Sequence, residues 1–138
     1  TEAAFINDPR LVFAPRPLYR TGDIGYEDGG LIFLKGRKDG LIKIRGYRIH
    51  PDEVSKALDK ITGVEGSVVL PFGSQSNASL VAFVQIHKDT DVSGAQIINQ
   101  LRHILPSYMI PSKLIFVEEF PLNQSGKIDK KALEGRLL

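Results

Sequence analysis

Between residues 51 and 137 the chain switches repeatedly between two kinds of hydrophobic spacing. Val54, Ala57, Leu58 and Ile61 recur at intervals of three and four, behind Pro51, Asp52 and Glu53. That spacing lines one face of a helix, proline suits a first turn, and acids suit the positive end of the helix dipole. Gly63 supplies the stop. Ile97, Ile98, Leu101, Ile104 and Leu105 define a second amphipathic helix, entered through Ser93 and Gln96 as a capping box and ended by Pro106. Strands are predicted elsewhere. Leu41 to Arg45 alternates apolar and basic, as a half-buried strand does. Val64 to Leu70 and Leu80 to Ile86 are apolar runs joined by a polar loop at 73–77, and Leu114 to Val117 reads as a last short strand. Ala132, Leu133 and Leu137 predict a short C-terminal helix. From residue 40 the order is β, α, β, β, α, β, α. This is an α+β domain, with two amphipathic helices packed on one small sheet.

The first 39 residues do not share that pattern. Pro9, Pro15 and Pro17 exclude a helix interior or a central strand, so after a possible short helix at the start the chain is expected to run as an extended arm. Leu18 to Arg20 reads as a short strand followed by a turn at Gly22-Asp23. The Asp28-Gly29-Gly30 turn then leads into Leu31 to Leu34 as a hairpin. Glycine supplies a cheap pivot at Asp39-Gly40, which sets the expected boundary between residues 1–39 and 40–138.

Composition narrows the classes of function. The 138 residues carry no cysteine, which excludes a disulfide framework and a thiolate metal site, and His50, His87 and His103 lack metal-ligand spacing. No apolar run reaches the ~20 residues that span a bilayer, and the first residues do not read as a secretory signal, so the cytoplasm is the expected compartment. A net charge of +2 is too small to argue for nucleic-acid binding. The distribution says more: Lys35, Arg37, Lys38, Lys43, Arg45 and Arg48 are six of the 18 basic residues, against the single acid Asp39. Such a stretch is either a solvated basic hairpin or a patch that faces phosphate.

Four motifs stand in order along the chain. They are Tyr19-Arg20-Thr21-Gly22-Asp23; Gly36-Arg37-Lys38-Asp39 running into Ile42 to Ile49; Leu105-Pro106-Ser107-Tyr108-Met109-Ile110-Pro111; and Ser125-Gly126-Lys127-Ile128-Asp129. Together they resemble the C-terminal part of the adenylate-forming superfamily, from residue 18 to the end. That group includes adenylation domains of nonribosomal peptide synthetases, D-alanine–carrier-protein ligases, acyl-CoA synthetases and luciferases. The likeness implies an ATP-dependent, amino-acid-activating ligase that forms an acyl-AMP and passes the acyl group to a phosphopantetheine thiol. Residues 1–39 would be the hairpin-rich end of the large subdomain, and residues 40–138 the small lid.

The resemblance also assigns roles. Lys127 matches the catalytic lysine of the adenylation step, where an ammonium can touch both the attacking carboxylate and the transferring phosphoryl group. Asp23 matches the residue that accepts hydrogen bonds from the ribose hydroxyls, and Arg37 one that reaches the ribose or phosphates. Asp39 matches the hinge. Lys43 and Gly46 match the loop that faces the site in the thioester-forming step, where glycine lets backbone pass close to the pantetheine arm. Leu105 to Pro111 is expected to be structural. ATP implies Mg²⁺, for which the sequence offers no ligand set.

Two kinds of departure matter. The last motif commonly has Asn where this chain has Ser125, and Thr where it has Asn123. After Arg48-Ile49 stands His50-Pro51-Asp52-Glu53, whose proline is more familiar in acyl- and aryl-activating relatives. An acyl-CoA or acyl-carrier ligase is therefore the alternative substrate class, and a non-catalytic module that binds a carrier protein or nucleotide is the alternative outside enzymes. No Gly-rich phosphate loop occurs in these residues. The expected partners are thus a large adenylation subdomain outside the sequence and a carrier protein or CoA.

Overall fold

The computed structural model describes residues 5–7, 16–38, 40–74 and 76–138. The chain divides into two compact units, Thr1–Gly40 and Leu41–Leu138. Asp39, the expected hinge, lies outside the described residues, as does most of the proline-bearing arm.

Among the described residues the first unit contains two antiparallel strand pairs. Strand β1 (Phe5–Asn7) pairs with β2 (Pro17–Tyr19), so the described part of the start is extended rather than helical. Strand β3 (Asp23–Asp28) pairs with β4 (Leu31–Arg37). Gly29 and Gly30 have φ of 58° and 80°, the two left-handed positions that a two-residue hairpin turn requires. The expected turn at Gly22-Asp23 is only half a turn. Gly22 makes the bend at φ 81°, and Asp23 already opens β3 opposite Arg37. This hairpin leaves large apolar side chains in solvent, with Leu31, Ile32 and Leu34 exposed by 64, 79 and 74%. Successive strand residues point to opposite faces, so both faces of β4 carry exposed apolar side chains.

The second unit is an α+β body. Strand β5 (Ile42–Ile44) turns through Arg45-Gly46 into β6 (Tyr47–Ile49), and helix α1 (Pro51–Asp59) follows. Strand β6 goes beyond what the hydrophobic pattern predicts. Strands β7 (Val64–Phe72) and β8 (Ser79–Ile86) are antiparallel. Helix α2 (Gly94–Ile104) crosses over to β9 (Lys113–Phe116), which lies parallel to β8 in a sheet of order β7-β8-β9. A short helix α3 (Lys130–Gly135) closes the chain. The capping box of α2 is present: Gln96 N–H donates to Ser93 Oγ at 3.3 Å, and Ser93 N–H donates to Gln96 Oε1 at 2.8 Å. Strand β7 runs two residues past Leu70, through Pro71. An edge strand tolerates a proline because its outer N–H has no ladder partner to lose.

The three-stranded sheet is covered on both faces. Val69, Leu80, Ala82 and Val84 pack with Ile44, Ile49, Val54, Leu58, Ile97 and Leu101 on one side. Their strand neighbours Val68, Leu70, Val81 and Phe83 pack with Leu133, Phe120 and Ile128 on the other. The β5–β6 hairpin, α1 and α2 therefore belong to one face, and α3 with the segment before it to the opposite one. Among the described residues no helix is long and apolar enough to cross a membrane.

Candidate functional site

Lys127 sits in a loop closed by a single bridge between Leu122 and Ile128. Phe120 and Ile128 anchor the loop to the core beneath it. Inside the loop Gly126 adopts φ 79°, a conformation that L side chains resist. Asn123 organises the remainder. Its side-chain oxygen accepts from Ser125 N–H at 3.0 Å, Ser125 Oγ at 2.8 Å and Lys127 N–H at 3.1 Å. Its backbone N–H donates to the Lys127 carbonyl at 2.7 Å. Asp129 then starts α3, accepting from Ala132 N–H at 3.1 Å. Lys127 is exposed, and among the described residues nothing accepts a hydrogen bond from its ammonium.

The β5–β6 hairpin presents a different chemistry on the other face of the sheet. Its turn uses Arg45 at φ 50° and Gly46 at φ 85°. Arg45 is the only non-glycine residue at positive φ among those described, a placement that costs roughly 1–2 kcal/mol for an L-residue. A side-chain carbon added at Gly46 would meet nothing within 4 Å, so the space above that residue is open. Ile42, Ile44, Tyr47 and Ile49 share the face toward the core, and Ile44 and Ile49 are buried. Lys43 and Arg48 stand opposite each other on the outer face, both exposed. Like charges directly opposed in a ladder are destabilising, and a bound anion would relieve them.

The Tyr47 and Tyr108 rings stack at a centroid distance of 4.0 Å and an interplanar angle of 5°. Tyr108 belongs to a 3₁₀ turn, Ser107–Met109, inside the Leu105–Pro111 motif. That motif, expected to be structural, thus buttresses the Gly46 turn. We expect a double-mutant cycle of Tyr47→Ala and Tyr108→Ala to give a coupling of about 0.5–1.5 kcal/mol, the usual worth of an aromatic pair beyond its area. Urea denaturation of the 138-residue chain measures it, and simple additivity would show that the rings meet without energetic consequence.

In the first unit Asp23 and Arg37 come together. Arg37 Nη1 donates to Asp23 Oδ1 at 3.0 Å across the register of β3 and β4. The turn before Asp23 is fixed locally: Asp23 N–H donates to Thr21 Oγ1 at 3.1 Å, and Lys38 N–H to the Gly22 carbonyl at 2.7 Å. Asp23 Oδ2 has no donor among the described residues, and the carboxylate is partly exposed. No group of three or more His, Asp or Glu that could hold a metal ion occurs among the described residues.

The motif residues therefore fall into one cluster in the first unit and two in the second. Asp23 and Arg37 form a pair in the first unit. Lys43 and Gly46 share a hairpin on one face of the second unit's sheet, and Lys127 lies in a loop on the other. Two contributors escape the sequence reading. Tyr108 figures there only within a motif expected to be structural, and Asn123 only as a departure from the last motif. An Asn two residues before a Ser-Gly turn is the local pattern from which its side-chain bonding could have been found.

A profile of the AMP-binding enzyme C-terminal domain matches residues 53–127, more than half of the chain, and the match ends on Lys127. The chain belongs to this family. The resemblance to adenylate-forming enzymes read from the motifs is thereby borne out. This C-terminal-domain chain is 38% identical, over 96% of its length, to one of the plipastatin synthase proteins of Bacillus subtilis (strain 168), of which it covers 5%. It is 36% identical, over 97% of its length, to D-alanine–D-alanyl carrier protein ligase of Bacillus licheniformis, of which it covers 27%. ATP-bound MatB from Rhodopseudomonas palustris superposes on 86% of the chain with a TM-score of 0.67 at 28% identity, and the chain covers 24% of it. The chain thus spans about a quarter or less of these relatives. Asp23, Arg37, Lys43 and Gly46 precede the matched residues, and Lys127 closes them.

Proposed function

We propose that this chain is the C-terminal part of an ATP-dependent ligase that adenylates an amino acid and transfers it to the phosphopantetheine thiol of a carrier protein. Residues 1–39 would be the end of the large adenylation subdomain and residues 40–138 the mobile lid, with Asp39 as the hinge between them. The observation that carries this reading is the placement of the Lys127 loop and the Gly46 hairpin on opposite faces of one sheet. A rigid body with two such loops can offer only one of them at a time to a fixed site. Presenting both requires the body to rotate, which is what two successive half-reactions need.

Each cluster then has a task. Asp23 would accept hydrogen bonds from the ribose hydroxyls through its free carboxylate oxygen, with Arg37 holding the carboxylate in place and adding positive charge near the phosphates. Lys127 would bridge the attacking carboxylate and the α-phosphoryl group in the adenylation step. After rotation, Gly46 would leave room for the pantetheine arm, and Lys43 would supply charge beside it. Mg²⁺ would be bound with the nucleotide, and no step is assigned to residues of this segment through it. The exposed apolar strand β4 needs a cover, which the large subdomain would supply. The carrier protein ligase relative, whose name specifies an amino acid and a carrier protein, supports that substrate pair over an acyl-CoA product. Such ATP-dependent chemistry suits the cytoplasm.

The test is ATP–pyrophosphate exchange with a panel of amino acids and fatty acids. The enzyme in which this segment is joined to a large adenylation domain is expected to exchange with amino acids. The 138-residue segment alone is expected to be inactive. Exchange by the segment alone, or by the whole enzyme only with fatty acids, would overturn the proposal.

A further inference from the structure

We infer that Asn123 is the positioning residue of Lys127, and that it forms a matched pair with Ser125; this rests on the adenylation role proposed above for Lys127. The loop between Leu122 and Ile128 has no helix and no further ladder to hold it, so its backbone groups must find partners locally. Most of them end on one residue. Asn123 gives its N–H to the Lys127 carbonyl at 2.7 Å and takes the Gly126 N–H on its own carbonyl at 3.0 Å. Its side chain takes the N–H of Lys127 at 3.1 Å and of Ser125 at 3.0 Å. Two backbone N–H groups converge on the same side-chain atom, which must therefore be the amide oxygen. Both polar backbone groups of Lys127 are thus fixed by Asn123, one through main chain and one through side chain.

That arrangement decides where the lysine's Cα stands and in which direction its arm leaves. A lysine carries a compact charge on a flexible four-carbon stem, so the volume its ammonium samples is set by the fixed end. A misplacement of about 1 Å at a reacting centre can cost on the order of 10²-fold in rate. The pairing with Ser125 follows from the third bond on the same oxygen, the Ser125 hydroxyl at 2.8 Å. Asn123 and Ser125 are the two positions at which this chain departs from the commoner form of the motif. They bond each other, so replacing either one removes a bond that the other makes.

The experiment uses the enzyme that carries this segment together with its large domain. Asn123→Leu removes the oxygen at similar size, and Asn123→Asp keeps it. Asn123→Leu is expected to lower kcat for ATP–pyrophosphate exchange on the order of 10²-fold with KM for ATP little changed, while Asn123→Asp recovers most of the rate. Transfer from a chemically synthesised aminoacyl-adenylate to the carrier thiol is expected to match the parent, because that half-reaction does not use Lys127. In a Lys127→Ala background, Asn123→Leu should slow exchange no further. An Asn123→Leu enzyme that exchanges at the parental rate overturns the inference. So does one impaired equally in both half-reactions, which would mark a defect of the whole lid, or one whose effect adds to that of Lys127→Ala. A parent enzyme without exchange would instead overturn the function on which the inference stands.

Discussion

Replacing Lys127 by alanine in the intact enzyme is expected to slow adenylate formation by about 10²–10³-fold, the loss that follows removal of one preorganised charge-stabilising donor. Transfer of a preformed aminoacyl-adenylate to the thiol should proceed near the parental rate. The asymmetry is the informative part. In the first half-reaction a carboxylate approaches a polyphosphate, two anions that must be held in line while charge shifts toward the leaving pyrophosphate. Lys127 would bring to that point an ammonium with no acceptor of its own among the described residues, so no internal ion pair would have to be broken first. In the proposed second half-reaction a thiol would attack, and the loop carrying Lys127 would have turned away with its face of the sheet. Lys127→Arg keeps the charge but replaces a compact ammonium by a planar fork, and should restore only part of the rate. Pyrophosphate exchange and single-turnover thioester formation separate the two steps. Equal adenylation by the parent and Lys127→Ala would refute the role, and equal loss in both steps would refute the alternation.

Much of the second unit was legible because its signals are local. Pro51 with two acids marks a helix start through backbone restriction and the helix dipole, Ser93 with Gln96 through bonds within one turn, and α1 and α2 begin where those residues stand. What escaped reading depends on contacts distant in sequence or on very short elements. Strand β6 has three residues, too few for alternation to register, and its turn is Arg45-Gly46 instead of the Asn-Gly or Asp-Gly that announces a hairpin. The pairing of β1 with β2 spans a segment in which the prolines argue only for extension. The candidate site shows the same division. Asp23, Arg37 and Lys127 could be named from motifs, but that Asp23 and Arg37 bond each other follows from the β3–β4 register. The opposition of the Lys127 loop and the Gly46 hairpin was partly written in the strands. Val68-Val69-Leu70 and Leu80 to Val84 are apolar without alternation, which is the mark of a sheet buried on both faces. The sequence could not show which loop lies over which face.

Phe83→Ala is expected to destabilise the second unit by about 3–5 kcal/mol, as truncation of a well-packed core aromatic does. Phe83 is fully buried, in the central strand β8, on the face that carries α3. Its cluster holds Leu133 of α3 together with Phe120 and Ile128, which bracket the Lys127 loop. Domains of this size are stable by only about 5–15 kcal/mol, so the loss is a large share of the total. It should appear as a lowered urea midpoint with an unchanged slope, since the surface exposed on unfolding is nearly the same. The location matters as much as the size. Ala82, the neighbouring residue, faces α1, α2 and the Gly46 hairpin. A cavity at Phe83 therefore opens beneath one loop and not the other. Hydrogen exchange should show the amides of Lys127, Asp129 and Leu133 losing protection before those of α2, because the former rest on the truncated cluster. Under conditions where the unit stays folded, adenylation should then suffer more than thioester transfer. A loss below about 1 kcal/mol, or exchange that accelerates evenly across both faces, would show that the two clusters do not support their loops separately.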